Sequence, residues 1–217
     1  MSEIKQTKHK LEIVKNGQDR SPDTSYTEYL SQDSKKVPDF MVEENFEYLG
    51  SEDIDTSRYI SREFFEKEKE CMWTRVWQFA CRVEDIPEVG DSLVYDILDW
   101  SFLIVRSDKN TIKAFYNSCL HRGRRIKTER GFGNQLECPF HGFCWHLDGS
   151  LKFTPAPWDF AHIKDKDFSL PEVRVEIWQG FVFINMDDNA VSLEEYLDPI
   201  PEHHKRWDLG NCKKVIH

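Results

Sequence analysis

Two short segments of the sequence each place a cysteine close to a histidine. In CLHRG, Cys119 and His121 are two positions apart, and in CPFHG, Cys138 and His141 are three positions apart. Cysteine thiolate and neutral imidazole are side chains with which proteins hold iron and zinc. A glycine follows each histidine within two residues, and glycine allows the sharp turns and close backbone approach of a ligand loop. We therefore predict that the four side chains form one metal centre.

Three interpretations of this pattern are open from the residues alone. Under the first, the pairs are unrelated core residues that share loop sequences by chance. Under the second, they form a structural zinc site, although such sites usually pair cysteine with cysteine and histidine with histidine. Under the third, two cysteines hold one iron of a [2Fe-2S] centre and two histidines hold the other. The third suits segments of mixed composition, because each segment then reaches both irons.

The spacing and the sequence around it resemble a known family. Sixteen residues separate His121 from Cys138, and C-x-H, sixteen residues, C-x-x-H is the Rieske signature. The segments VWQFACRVEDIPEVGD, IKAFYNSCLHRG, CPFHGFCWHLDGSLK and WQGFVFINM add to the likeness. Over about residues 58–200, the chain resembles the N-terminal, Rieske-containing part of the large (alpha) subunit of Rieske-type aromatic-ring-hydroxylating oxygenases.

This resemblance implies how the four side chains are used. Cys119 and Cys138 would ligate the inner iron of a Rieske [2Fe-2S] cluster, and His121 and His141 would ligate the outer, solvent-side iron. A ferredoxin or a flavin reductase would supply electrons, ultimately from NAD(P)H, and a mononuclear iron that activates O2 would accept them. The implied function is electron transfer within an oxygenase, which is an oxidoreductase. A stand-alone Rieske electron carrier and a zinc-stabilised interaction module are the alternatives.

The resemblance also implies a second metal site. The family's catalytic iron is held by two histidines and a carboxylate, the usual ligand set for iron that activates O2. The sequence shows no D-x-x-H-x4-H spacing before its last residue, His217. We therefore expect this chain alone to contain no catalytic residue and to be catalytically incompetent. The resemblance also implies that the full-length form is a homo-oligomer. The sequence is compatible with dihydroxylation, monohydroxylation or demethylation as the reaction. It is also compatible with this chain being either a fragment of a longer protein or a natural short product.

Composition limits the class of protein. The chain has 217 residues, of which 39% are hydrophobic and 13% aromatic, as in a folded globular domain. Its net charge of -10 argues against nucleic acid as a partner. No apolar segment is long enough to cross a membrane and the first residues carry no apolar signal region, so we expect no membrane partner and a cytoplasmic location. Thiols stay reduced there. The cysteines outside the two segments are expected to be buried: Cys71, Cys81, Cys144 and Cys212.

The sequence divides into four regions of different character. They are a polar N-terminal arm (1–57), a helical lead-in segment (58–80), the Rieske [2Fe-2S] domain (81–185) and the beginning of a truncated catalytic domain of the α+β class (186–217). In the lead-in segment, Ser61 is a predicted N-cap. Phe65, Met72 and Val76 fall on one face at helical spacing, which predicts that this face packs inward.

From about residue 91 the hydrophobic period changes to two, which predicts a mainly β fold of antiparallel sheets. DSLVYDIL, SFLIVRS and TIKAFYNS read as a meander, FCWHL and LKF as a hairpin around Asp148 and Gly149, and EVRVEIW and FVFINM as a third hairpin. Both Cys/His segments lie at junctions between strand and loop. Beyond the strands, Ser192 and Glu195 have the spacing of a capping box, which predicts a short helix that ends at Pro199.

Basic residues cluster beside the first Cys/His segment. In HRGRRIKTER they are Arg122, Arg124, Arg125, Lys127 and Arg130. Two interpretations carry equal weight. The residues form a docking patch for an acidic electron donor, because complementary potentials raise encounter rates, or they are ordinary surface and loop-packing charges.

Aromatic residues cluster beside the second segment. They are Phe140, Phe143, Trp145 and Trp158, and we expect them to shield the metal centre from water. By the resemblance, Phe143 and Trp145 stand where high-potential Rieske proteins carry a serine and a tyrosine whose hydroxyl groups donate hydrogen bonds beside the cluster. The absence of these two hydroxyl groups in this chain implies a low reduction potential, because their hydrogen bonds stabilise the reduced cluster.

Overall fold

The computed structural model describes residues 26–42, 53–163, 168–213 and 215. The chain divides into two compact units, Met1–Ile54 and Asp55–His217. The described part of the first unit contains helix α1 (Tyr26–Ser31) and a 3-10 turn (Asp39–Met41). Most of the rest of the predicted polar arm lies outside the described residues. Within the described ranges, no helix has the length and apolar character needed to cross a membrane.

The second unit begins with a short helical segment. It consists of α2 (Ser57–Ile60), α3 (Arg62–Glu68) and one π-helical turn (Lys69–Trp73). Ser61 caps α3 as predicted, because its hydroxyl oxygen accepts a hydrogen bond from the Phe64 amide at 3.2 Å. This bond satisfies one of the amides that have no partner in the first helical turn.

The π-helical turn changes which residues face inward. A π-turn is wider than an α-helical turn, so residues beyond it are rotated relative to an ideal helix. Met72 is 37% exposed, whereas Trp77 is buried. The predicted inward face is therefore half-buried at Phe65 and Val76, and the prediction is wrong for Met72.

Strand β1 (Gln78–Arg82) occupies the end of the segment predicted to be helical. It pairs antiparallel with β10 (Phe181–Asn185) and buries Gln78 and Cys81. Strand pairing and burial outweigh local helical propensity here, as tertiary contacts commonly do. Helical structure therefore ends at Trp73, short of the predicted residue 80.

The rest of the second unit is mainly β, as predicted. Besides β1 and β10, the strands in the described residues are β2 (Asp91–Ile97), β3 (Trp100–Asp108), β4 (Thr111–Tyr116), β5 (Gly131–Phe132), β6 (Leu136–Glu137), β7 (Cys144–Trp145), β8 (Leu151–Phe153) and β9 (Glu172–Trp178). One sheet has the order β1-β10-β9-β4-β3-β2-β5, and β6, β7 and β8 form a smaller sheet. The observed pairs are antiparallel, and they include the predicted meander β2–β3–β4 and the hairpins β7–β8 and β9–β10.

Strand β3 lies at the centre of the packing. Residues 102–105 are fully buried, and successive side chains of a strand point to opposite faces. Phe102 and Ile104 belong to one core cluster, while Leu103 and Val105 belong to another that also contains both cysteines of the Cys/His segments. A strand buried on both faces needs a continuous apolar sequence, here FLIV. The core thus directly supports the predicted ligands.

Short helices follow the last strand. They are α4 (Leu193–Leu197), α5 (Ile200–His204) and a 3-10 turn (Leu209–Asn211). Ser192 caps α4 by accepting a hydrogen bond from the Glu195 amide at 3.2 Å, as the capping-box spacing predicts. Glu176 of β9 adds a second cap, because its carboxylate accepts from the Leu193 amide at 2.8 Å. Leu193 also packs with Trp77, which ties α4 to the start of the unit.

Candidate metal centre

The first Cys/His segment forms a closed loop after strand β4. The Cys119 amide donates to the Arg124 carbonyl at 2.8 Å, and the Cys119 carbonyl accepts from the Gly123 amide at 2.8 Å. Gly123 has φ 71°, in the left-handed region that glycine adopts without steric cost. These bonds close the backbone around His121.

The second segment repeats this geometry between β6 and β7. The Cys138 amide donates to the Phe143 carbonyl at 2.8 Å, and the Cys138 carbonyl accepts from the Gly142 amide at 3.0 Å. Gly142 also has a left-handed backbone, with φ 78°. In both loops the cysteine therefore bonds to the residues four and five positions later. Two loops of different sequence hold their cysteines by the same hydrogen-bond pattern.

The two loops bring the four predicted ligands together. The imidazole rings of His121 and His141 have centroids 4.9 Å apart. The thiols of Cys119 and Cys138 hydrogen-bond to each other, and both cysteines are 2% exposed. His141 is exposed and His121 is half-buried. The cysteines thus lie on the inner side of the site and the histidines on its solvent side.

The surroundings of the site shift the acidity of its side chains. Burial raises the pKa of the Cys119 thiol and so does the neighbouring Cys138, while the backbone amides of His121 and Arg122 lower it by donating to the sulfur. Burial, His141 and Arg122 together lower the pKa of His121. His121 is therefore neutral at pH 7, the form in which imidazole binds metals. The two amides are placed to stabilise a Cys119 thiolate.

One polar atom of the site has no partner of its own. The Nδ1 atom of His121 is buried and makes no hydrogen bond within the described residues. Leaving a buried polar atom unsatisfied costs about 1–3 kcal/mol, and a metal ion at Nδ1 would remove that cost. In the described ranges, no three His, Cys, Asp or Glu side chains are arranged to hold a single ion.

Buried aromatic rings cover the inner side of the site, as predicted. Phe143 and Trp145 are fully buried, and the Phe143 ring lies 4.9 Å from the His121 ring, centroid to centroid. Phe160 was missed by the sequence analysis, and it meets the His121 ring edge-on at 5.5 Å. No sequence signal marks Phe160, because it lies in a loop without hydrophobic periodicity.

Two other aromatic residues do not shield the site, contrary to prediction. Trp158 is 77% exposed and Phe140 is 58% exposed, and both lie in turns outside the strands and helices. The Phe140 ring lies on the solvent side against His141, with centroids 3.8 Å apart. Phe140 also lines a shallow surface pocket with Arg124 and Pro139. The solvent side of the site is therefore partly apolar.

The basic side chains beside this pocket fall into two groups. Arg125 pairs with Asp96 at 2.8 Å, and Arg130 donates to a backbone carbonyl. Arg122 and Arg124 are exposed and make no ion pair within the part of the chain that the structure describes. The predicted basic patch thus contains residues anchored to the fold and residues available to a partner.

A buried asparagine that the sequence analysis missed holds the first loop. Asn117 is 2% exposed. Its Oδ1 atom accepts from the amides of Ile126 and Lys127, at 3.0 Å each. Its Nδ2 atom donates to the Lys127 carbonyl at 2.8 Å and to the Ser101 hydroxyl at 3.0 Å. The only sequence signal was a polar residue two positions before Cys119, at the end of a largely apolar strand.

The remaining cysteines divide between core and surface. Cys81 and Cys144 are buried, as predicted, and burial raises the pKa of Cys81 to about 12. Cys71 and Cys212 are exposed, so the prediction of burial is wrong for these two. Cys71 lies in the π-helical turn and Cys212 follows the last 3-10 turn.

Comparisons with known proteins bear directly on this site. The sequence profile described as the Rieske [2Fe-2S] domain matches residues 76–164, which include both loops. The chain is 33% identical over 178 residues to the alpha subunit of 2-aminobenzenesulfonate 2,3-dioxygenase from an Alcaligenes species, over 79% of this chain and 44% of that protein. It is 34% identical over 167 residues to the carnitine monooxygenase oxygenase subunit of Escherichia coli (strain K12), over 76% of this chain and 45% of that protein.

A solved structure gives the same result for the fold. The apo form of the quaternary ammonium Rieske monooxygenase CntA aligns with a TM-score of 0.66 and 30% identity, over 70% of this chain and 44% of that one. The match is to the N-terminal part of such proteins. The chain spans less than half the length of these relatives.

Proposed function

We propose that this chain, whose residues 76–164 are a Rieske [2Fe-2S] domain similar to that of Rieske oxygenase alpha subunits, is the electron-transfer part of such an oxygenase. In this proposal Cys119 and Cys138 hold one iron of the Rieske cluster, and His121 and His141 hold the other. The observation that carries it is the convergence of the two loops on one place. The buried Nδ1 atom of His121, without a hydrogen-bond partner among the described residues, supports it.

The chain's own residues prepare this site in three ways. The amides of His121 and Arg122 donate to the Cys119 sulfur and favour its thiolate. Buried aromatic rings exclude water from the inner side. His141, exposed on the outer side, keeps the site within reach of a partner protein. When bound, a Rieske cluster supplies a one-electron redox centre.

The proposed partners follow from the resemblance. A ferredoxin or a flavin reductase donates electrons that come ultimately from NAD(P)H. The acceptor is a mononuclear iron of the oxygenase, outside the residues that the structure describes, where O2 is activated. The exposed Arg122 and Arg124 support an acidic donor, because opposite charges increase the rate of productive encounter.

The substrate class that we propose is aromatic. Two relatives are named for aromatic substrates, 2-aminobenzenesulfonate and anthranilate, and the latter enzyme's large subunit, from Acinetobacter baylyi, is 35% identical over 148 residues. Other relatives are carnitine and glycine betaine monooxygenases, and a similar solved structure is a quaternary ammonium Rieske monooxygenase with its substrate L-carnitine. Turnover of an aromatic acid but not of carnitine by the full-length enzyme would support the aromatic class.

The wider setting is also part of the proposal. We place residues 81–185 in the Rieske domain and 186–217 at the beginning of a catalytic domain, and we expect the full-length protein to form homo-oligomers. A cytoplasmic location suits the six cysteines, which are all free thiols.

Metal analysis tests the proposed cofactor against the zinc alternative. The purified chain is reconstituted with iron and sulfide under anaerobic conditions, and its iron, zinc and acid-labile sulfide are measured. We expect about two irons and two sulfides per chain and a coloured protein. A colourless protein with one zinc and no sulfide would instead support a zinc-stabilised interaction module.

The DNA downstream of codon 217 separates the oxygenase from a stand-alone carrier. An in-frame continuation that encodes two histidines and a carboxylate in the facial-triad pattern supports the oxygenase. An immediate stop codon in the genome supports the carrier. The helical segment before β1 favours the oxygenase, because the family resemblance implies that small Rieske carriers lack such a segment.

A further inference from the structure

The first Cys/His loop has little regular structure to hold it. Between β4 and β5 the backbone forms only turns and bends, whereas the second loop is flanked closely by β6 and β7. Buried backbone amides and carbonyls need partners wherever no strand supplies them. The loop that carries Cys119 and His121 closes on itself through the backbone bonds of Cys119, and side chains supply further partners at its base.

Asn117 supplies those partners at the base of the loop. The side-chain amide of asparagine offers two acceptor positions and two donor hydrogens, and all four are used. Oδ1 accepts from the amides of Ile126 and Lys127, and Nδ2 donates to the Lys127 carbonyl and the Ser101 hydroxyl. Asn117, which precedes the loop, is thus hydrogen-bonded directly to Ile126 and Lys127, which follow it.

A second set of contacts fastens this base to the β2–β3 hairpin. Ser101 of β3 lies directly opposite Asp96 of β2. The Ser101 hydroxyl hydrogen-bonds to the Asp96 carboxylate, and this bond, with the nearby Arg125 guanidinium, lowers the pKa of Asp96. Arg125 directly precedes Ile126 in the chain, and its guanidinium pairs with the Asp96 carboxylate at 2.8 Å. The contacts form a continuous path from Arg125 through Asp96 and Ser101 to Asn117.

We propose that Asn117, Ser101, Asp96 and Arg125 form a loop clamp that positions Cys119 and His121 as cluster ligands. Asn117 is its central positioning residue, because it bonds to both ends of the loop and to the hairpin. The clamp rests on the proposed function, since it acts through the cluster that the two residues would hold. Residues that orient metal ligands without touching the metal typically change metal affinity about 10–100-fold when they are removed.

The test compares Asn117→Ala with Asn185→Ala in the full reconstituted chain. Asn185 is a matched control, because it is fully buried and bonds to the Arg75 carbonyl and the Asp187 amide, away from the Cys/His loops. Both variants lose buried hydrogen bonds, so both should lower the melting temperature. Only Asn117→Ala should speed iron release to a chelator, by about 10–100-fold, and shift the EPR signal of the reduced protein.

Two milder variants keep the test decisive if Asn117→Ala does not fold. Asn117→Asp retains the acceptor for Ile126 and Lys127 but loses both donors, and Arg125→Gln removes a half-exposed side chain from the far end of the clamp. Each should speed iron release less than tenfold but measurably. If the folded variants release iron at the wild-type rate with an unchanged EPR signal, the clamp is refuted. A wild-type chain without a Rieske signal would refute the proposed function instead.

Discussion

The indole N–H of Trp145 donates to the backbone carbonyl of Phe168 at 2.8 Å, and the two rings are stacked with an interplanar angle of 12°. Indole has one donor hydrogen, so this bond leaves Trp145 nothing to donate towards the metal centre. Phe143, which lies beside His121, has no polar hydrogen on its side chain. Neither residue can stabilise a reduced cluster by hydrogen bonding to it.

The reduction potential should therefore be low. We expect a value near the bottom of the Rieske range of about -150 to +300 mV, measured by redox titration of the EPR signal. Trp145→Phe should leave the potential within about 59 mV of wild type, because the lost N–H faces Phe168. A shift of that size corresponds to a tenfold change in the equilibrium constant of a one-electron couple. A wild-type potential well above 0 mV would contradict this account.

Arg122 and Arg124 should control the rate at which an acidic ferredoxin reduces the protein. Arg122→Glu/Arg124→Glu should slow reduction about tenfold or more at low salt, because it reverses the charge beside the exposed His141. The difference should nearly vanish at high salt, since exposed charges are screened within about 10 Å at 0.1 M. Stopped-flow absorbance at several salt concentrations measures both effects.

Lys109→Glu is the matched control for this measurement. Lys109 is exposed in the turn between β3 and β4, and the six residues of β4 separate that turn from the first loop by roughly 20 Å. This variant should be reduced at nearly the wild-type rate. Equal slowing by both charge reversals would show that net charge matters and that the exposed arginines form no docking site.

Gly149 should be intolerant of a side chain. A Cβ atom there would lie 2.3 Å from Cε1 of the buried Phe115, and its φ of 87° disfavours other residues. Gly149→Ala should lower the free energy of unfolding by about 1–3 kcal/mol, as overpacking does. Gly131→Ala, which meets no atom within 4 Å, should change it by less than about 0.5 kcal/mol. Denaturant titrations of both variants that give the same midpoint would contradict this packing.

The strands were predictable because their signals are local. Alternation in DSLVYDIL and the turn residues Asp148 and Gly149 depend only on neighbouring residues, and the β2–β3–β4 meander and the β7–β8 hairpin follow from them. Helix caps were predictable for the same reason: Ser61 and Ser192 both accept from the amide three residues later. The ligand assignment of the two Cys/His segments stays a prediction, although the structure brings the four side chains together.

Features that depend on distant contacts were not predictable. Asn117 matters because Ser101 and Lys127 come close to it in the fold, and nothing in its own segment indicates this. Met72 lies in the π-helical turn and is 37% exposed, although helical spacing predicts it to be buried. Phe140 has the large apolar side chain expected of a residue that shields the site, but it is exposed to solvent. In each case tertiary structure decides a position that local sequence leaves undetermined.

The ligand assignment is tested most directly by EPR spectroscopy of the reduced, reconstituted chain and of His121→Ala and His141→Ala. We predict a Rieske-type signal for the wild-type chain and its loss in both variants, because each removes one of only two protein ligands of the outer iron. His146→Ala is the control, since His146 is exposed beyond the second loop, and it should keep the signal. A normal Rieske signal in both His121→Ala and His141→Ala would contradict the proposed metal centre.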